Sequence, residues 1–93
     1  MNPDNRKPTL PGEILLEEFL KPLEISQAKL ARHLGWTVAK VNEIVKGKRI
    51  ITAETALALS KAFGTSPHLW INLQTNCDLW EARHSVDKYS AIA

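Results

Sequence analysis

The residues with chemical reach gather in one short stretch. Asn42 and Glu43 are followed closely by Lys46, Lys48 and Arg49. A carboxamide and a carboxylate can hydrogen-bond to the edges of nucleic-acid bases, and neighbouring cations can hold phosphate. Segment 26–50 carries six basic residues against the single acid Glu43, a local charge of +5, while the rest of the 93-residue chain sums to −3. That polarity describes a polyanion-facing side on an acidic body. A solvated face with chance clustering is the alternative that charge alone leaves open.

Covalent and metal chemistry are not legible in the chain. His33, His68 and His84 show neither H-E-x-x-H nor any other close metal-ligand spacing. Cys77 has no cysteine partner, and His84 falls two helical turns away, out of direct reach. No glycine-rich phosphate loop occurs. No catalytic residue, metal ligand or cofactor is assigned, and the chain reads as a non-enzyme. A lone cysteine rules out an internal disulfide and fits a reducing cytoplasm. The opening MNPDNRKPTL lacks the apolar run of a signal peptide. No segment approaches a membrane span, so no membrane partner is expected.

The elements that must position these residues are all helical. Residues 1–10 read as a flexible arm. Pro11 opens a helix with apolar positions at Ile14, Leu15, Phe19 and Leu20, and Pro22 ends or kinks it. Ser26 caps a second helix, 27–34, stopped by Gly35. Thr37 caps a third, 38–46, stopped by Gly47. Thr52 caps a fourth, 53–63, stopped by Gly64. Ser66 and Pro67 open a fifth that runs to about Arg83. Residues 11–84 form the domain, and 85–93 read as a frayed tail.

The second and third helices have the pattern of a helix-turn-helix. Leu30, Ala31 and Leu34 share one face; Val41, Ile44 and Val45 share another. Ala31 is small where the helices cross, Gly35 permits the sharp turn, and Trp36 can plug the corner. The outer face of the third helix then offers Val38, Ala39, Lys40, Asn42 and Glu43 to a DNA major groove. Val38 and Ala39 suit a thymine methyl group, and Asn42 suits adenine. Glu43 either accepts from cytosine or faces solvent. Gln27, Thr37, Lys46, Lys48 and Arg49 are the expected phosphate contacts, Gln27 from a helix N-terminus. An ordinary helical hairpin is the alternative on spacing alone.

On the fifth helix Leu69, Trp70, Leu73, Cys77 and Trp80 form an apolar stripe. Trp70 and Leu73 belong to the core. Leu79 and Trp80 are expected to meet a second subunit, with burial in the monomer as the other reading.

From Pro11 onward the sequence resembles the HigA-type antitoxins, a branch of the phage-repressor-like (XRE) helix-turn-helix proteins. The matching residues are PGEILLEEFLKPLEIS at 11–26, KGKRIITAETALALSKAFGTSPHLWINLQ at 46–74 and CDLWEA at 77–82. The segment 64–79 is the most specific part. The resemblance implies a five-helix, all-α domain and a homodimer that binds double-stranded operator DNA and represses its own operon. It also implies a HigB-type toxin partner, a ribosome-dependent mRNA nuclease. Three positions depart from the family's habit: Val38 for a basic or polar residue, Lys46 for Asn, and Cys77 for an aromatic. The first weakens any base contact carried over from the family. A stand-alone regulator without a toxin, or an interaction module that has lost DNA binding, are the alternative readings.

Overall fold

Four hydroxyl residues set the helix starts. Ser26, Thr37, Thr52 and Ser66 stand in extended backbone, and each side-chain oxygen accepts a first-turn N–H, at 3.0, 3.1, 3.2 and 2.9 Å respectively. In the computed structural model, which describes residues 6–93, they open α2 (Gln27–Leu34), α3 (Val38–Val45), α4 (Ala53–Phe63) and α5 (Pro67–Ala82). The short α1 (Pro11–Ile14) has no side-chain cap and begins on its proline. No strand occurs among the described residues. No described helix is long and apolar enough to cross a membrane.

Glycines in the left-handed region close α2 and α3. Gly35 and Gly47 both have φ near 73°. Past each one an amide turns back into the helix: Trp36 N–H to the Ala31 carbonyl and Lys48 N–H to the Glu43 carbonyl, both at 2.8 Å. This satisfies carbonyls that a helix end otherwise strands.

The first helix departs from the regular form expected of it. After Ile14 it widens into a π-helical stretch, Leu15–Leu20. Lys21 N–H donates to the Leu16 carbonyl at 3.0 Å, five residues back. Pro22 has no N–H for the carbonyl of Glu18, so an α-ladder would break at that step. The wider turn also brings Leu15 and Leu20 onto one side, where both are buried. Phe19 packs its ring on those of Phe63 and Trp70, with centroids 5.1 and 5.4 Å away.

One core joins all these elements. Leu15, Leu20, Leu30, Ala31, Val41, Ile44, Ile51, Ala56, Leu59 and Trp70 form a single buried cluster. The Trp70 indole N–H donates to Thr65 Oγ1 at 2.8 Å, so its one polar atom is satisfied. The start of α1 lies against the end of α3 at Gly12. A β-carbon there would fall within contact of the Ile44 carbonyl oxygen and 2.7 Å from that of Val45. Gly12 therefore sets how closely α1 approaches α3. Thr9 and Leu10 extend this packing: the Cys77 thiol donates to the Thr9 carbonyl at 3.5 Å, and Leu10 lies over Gly47. The part of the expected arm at 1–5 lies outside the described residues. Beyond α5 the chain makes successive turns through Lys88 and is exposed throughout 84–93.

Candidate nucleic-acid interface

Two helices build the outward face. On α2, Leu30 and Ala31 are buried; on α3, Val41 and Ile44 are. Leu34 and Val45 are partly buried against the same core. With these positions turned inward, helical geometry turns Val38, Ala39 and Lys40 outward, with Asn42 and Glu43 on the rim. Val38 and Ala39 are exposed, while Lys40, Asn42 and Glu43 are half-buried.

Several expected contact residues are engaged with one another. The Asn42 carboxamide Nδ2 donates to Gln27 Oε1 at 3.1 Å, which ties α3 to the start of α2. Asn42 Oδ1 and Gln27 Nε2 remain for a ligand, an acceptor and an amide group with two N–H donors, and Asn42 Nδ2 keeps its second N–H. The residue read as a base contact and the residue read as a phosphate contact therefore form one unit. Glu43 Oε1 receives both Nε and an Nη of Arg49, at 3.2 and 2.7 Å. The carboxylate thus lies between the outer face of α3 and the basic loop that follows it. Lys40 holds its ammonium 4.1 Å from the centroid of the Trp36 ring. Trp36 is half-buried at the corner, as expected, and in addition fixes this cation. Thr37 spends its acceptor on the α3 cap, which leaves the hydroxyl proton free to donate. Lys46 and Lys48 are exposed on either side of Gly47 and, among the described residues, form no ion pair.

Sequence reasoning missed Gln74. Its Oε1 accepts the Ile51 N–H at 2.8 Å, and its Nε2 donates to Asp78 Oδ1 at 2.9 Å. Ile51 closes the loop that carries Lys48 and Arg49. The available signal was one carboxamide placed a turn after Trp70, on the inner side of an otherwise apolar stripe. On the same helix Leu79 is 65% exposed, which leaves a large apolar side chain in water. Trp80 is half-buried beneath the Arg83 guanidinium, 3.6 Å from the ring centroid, and its indole N–H is buried without a partner among the described residues.

The fold and this face together define a helix-turn-helix domain. Residues 16–70 match the helix-turn-helix family. An HTH-type transcriptional regulator of Haemophilus influenzae is 46% identical over 80 residues, covering 86% of this chain and 75% of its own length. Antitoxin HigA-1 of Vibrio cholerae is 36% identical over 84 residues, covering 90% of this chain and 79% of its own. The structure of the Pseudomonas aeruginosa antitoxin HigA with the higBA promoter superposes with a TM-score of 0.86 at 37% identity, over 94% of this chain and 100% of that one. The chain belongs to the helix-turn-helix family, within its HigA-type branch of DNA-binding regulators and antitoxins.

Proposed function

We propose that this protein is the antitoxin of a type II toxin–antitoxin pair, binds the operator of its own operon as a homodimer, and neutralises a HigB-type mRNA nuclease in the cytoplasm. The observation that carries the DNA part is the outward face of α3, bonded to Gln27 by Asn42 and flanked by exposed Lys46 and Lys48. The likeness to an antitoxin bound to promoter DNA supports the same reading. One α3 reads too few base pairs for useful specificity, so a dimer suits the task. Leu79 and Trp80, at the exposed end of the α5 stripe, are the proposed contact between subunits. The base-facing set is Val38, Ala39, Lys40, Asn42 and Glu43; Gln27, Thr37, Lys46, Lys48 and Arg49 face phosphate.

Promoter binding tests the DNA part: the protein should prefer its own promoter to random duplex at physiological salt. Co-expression with the product of the adjacent open reading frame tests the toxin part. Relief of growth arrest and co-purification are the expected results. A harmless neighbour leaves a stand-alone transcriptional regulator. A protein that binds no promoter but still captures its neighbour is an interaction module.

A further inference from the structure

The loop between α3 and α4 is fixed at both ends. At its start, Gly47 takes φ 73° and Lys48 N–H returns to the Glu43 carbonyl at 2.8 Å. At its end, Ile51 is 4% exposed. Its amide precedes the Thr52 cap and so lies outside the α4 ladder. A buried amide without a partner gives up its hydrogen bond to water with nothing in return. The acceptor comes from α5, as Gln74 Oε1 at 2.8 Å. A carboxamide can present either end, and Asp78 removes that choice. Its Oδ1 takes the Gln74 N–H at 2.9 Å, which leaves the carbonyl end facing Ile51.

We infer that Gln74, held in orientation by Asp78, is a positioning residue for DNA binding: it fixes the loop that presents Lys48 and Arg49 to phosphate. The role rests on the DNA-binding reading above and adds a residue far along the chain from the recognition helix. It places the loop under the control of α5, the helix whose other end carries Leu79 and Trp80. Asp78 is the neighbour of Leu79 in sequence. Packing at the end of α5 and the setting of the phosphate loop are therefore joined through one carboxamide.

The test measures operator binding by fluorescence anisotropy across a salt series, with thermal unfolding followed by circular dichroism. The proteins are the wild type, Gln74→Met, Gln74→Glu and the double variant Gln74→Glu/Asp78→Asn. Methionine keeps the length and removes the strong acceptor. Glutamate keeps the acceptor but sets one carboxylate against another. The double variant exchanges amide and acid, so the Ile51 N–H and the contact between positions 74 and 78 can both re-form. Gln74→Met should bind every duplex more weakly, with a salt slope lower by about one to two units. Its ratio of operator to random binding should hold, because α3 is untouched. Gln74→Glu should show the same defect, and the double variant should recover the wild-type slope. The unfolding curves separate positioning from general destabilisation: the defect of Gln74→Met, which leaves the net charge unchanged, should persist at temperatures where every variant is fully folded. A Gln74→Met protein with wild-type slope and affinity overturns the inference, as does a double variant no better than Gln74→Glu. A wild type without salt-dependent DNA binding overturns the DNA-binding reading itself, and the inference with it.

Discussion

Asn42 on the recognition helix and Gln27 at the start of α2 share a hydrogen bond of 3.1 Å. Each carboxamide uses one end on the other and keeps one for the proposed contact with DNA. Either residue alone has rotamer freedom to lose on binding; together they are preorganised. Asn42→Ala should cost about 1–3 kcal/mol of operator affinity at one position per half-site and leave the salt slope unchanged. Gln27→Ala should weaken all sequences and lower the slope by about one unit. Their effects should not add: a double-mutant cycle should give a coupling of roughly 0.5–3 kcal/mol. Additive losses would mean that the bond does not persist on DNA. Alanine is also the better helix former, so α3 should survive the change.

The Glu43–Arg49 pair leads to a different outcome. Both side chains are close to half exposed, 45% and 46%, so water screens the pair. Its worth to stability is about 0–1 kcal/mol. In the proposed DNA complex its effect should be larger, because it holds a carboxylate beside a cation proposed to face phosphate. Glu43→Gln should release Arg49, tighten binding to random duplex and steepen the salt dependence. The melting temperature should barely move. Loss of discrimination at a single cytosine, without tighter random binding, would instead make Glu43 a base reader.

Glycines at two sites answer to different physics. Gly35 has φ 73° with nothing among the described residues within 4 Å of a β-carbon, so Gly35→Ala meets only backbone strain, about 1–2 kcal/mol. Gly12 has no such φ; its β-carbon would meet the backbone of α3. Overpacking typically costs about 1–3 kcal/mol, occasionally more, and here the obstacle is main chain rather than a flexible tip. Urea unfolding should therefore rank Gly12→Ala as the more damaging change. The reverse order would show that α1 can move away from α3 at little cost.

Those two glycines also mark what was legible in sequence. Gly35 follows a capped helix and precedes another, and local chemistry is enough to read it. The same holds for the caps at Ser26, Thr37, Thr52 and Ser66, which is why α2 to α5 fall where the residues predict them. Gly12 is needed because of Ile44 and Val45, over thirty residues away, and no local signal carries that. The π-helical stretch was hidden for a related reason: Pro22 announces an interruption, but the packing of Leu15 and Leu20 decides its form. In the candidate site, residue types on the outer face of α3 were readable from spacing. Their mutual engagement, Asn42 with Gln27 and Glu43 with Arg49, depends on side-chain reach across elements.

Cys77 supplies a prediction in pH. Burial pushes its thiol up from the usual value of 9.0, with Asp78 and Glu81 adding to the rise and Lys7 opposing it. The native state therefore keeps the proton to higher pH than the unfolded chain does. The corresponding stability is fully present below about pH 9 and is lost as pH rises through the folded value. Cys77→Ala should flatten this alkaline part of the stability curve, measured by urea unfolding from pH 7 to 10. The wild-type thiol should also react slowly with alkylating agents at neutral pH. Rapid labelling of the folded protein would show that the contact with the Thr9 carbonyl opens readily.

Leu79 and Trp80 separate dimerisation from folding. Leu79 is 65% exposed, so in a monomer Leu79→Glu touches little and should change stability by no more than about 0.5 kcal/mol. In the proposed dimer it places a charge against an apolar partner surface. Light scattering should then report a monomer with a nearly unchanged melting temperature at low concentration. Operator affinity should fall sharply, because two α3 helices about 34 Å apart can no longer engage adjacent major grooves together. Trp80→Ala tests the neighbouring position, whose buried indole N–H has no partner among the described residues. Loss of a core aromatic costs roughly 3–5 kcal/mol in stability. A Trp80→Ala protein that stays dimeric but melts much earlier would place the side chain in the monomer core, beneath Arg83. A Leu79→Glu protein that remains dimeric would move the subunit contact away from the end of α5. A wild type that is monomeric at working concentration would remove the dimer altogether.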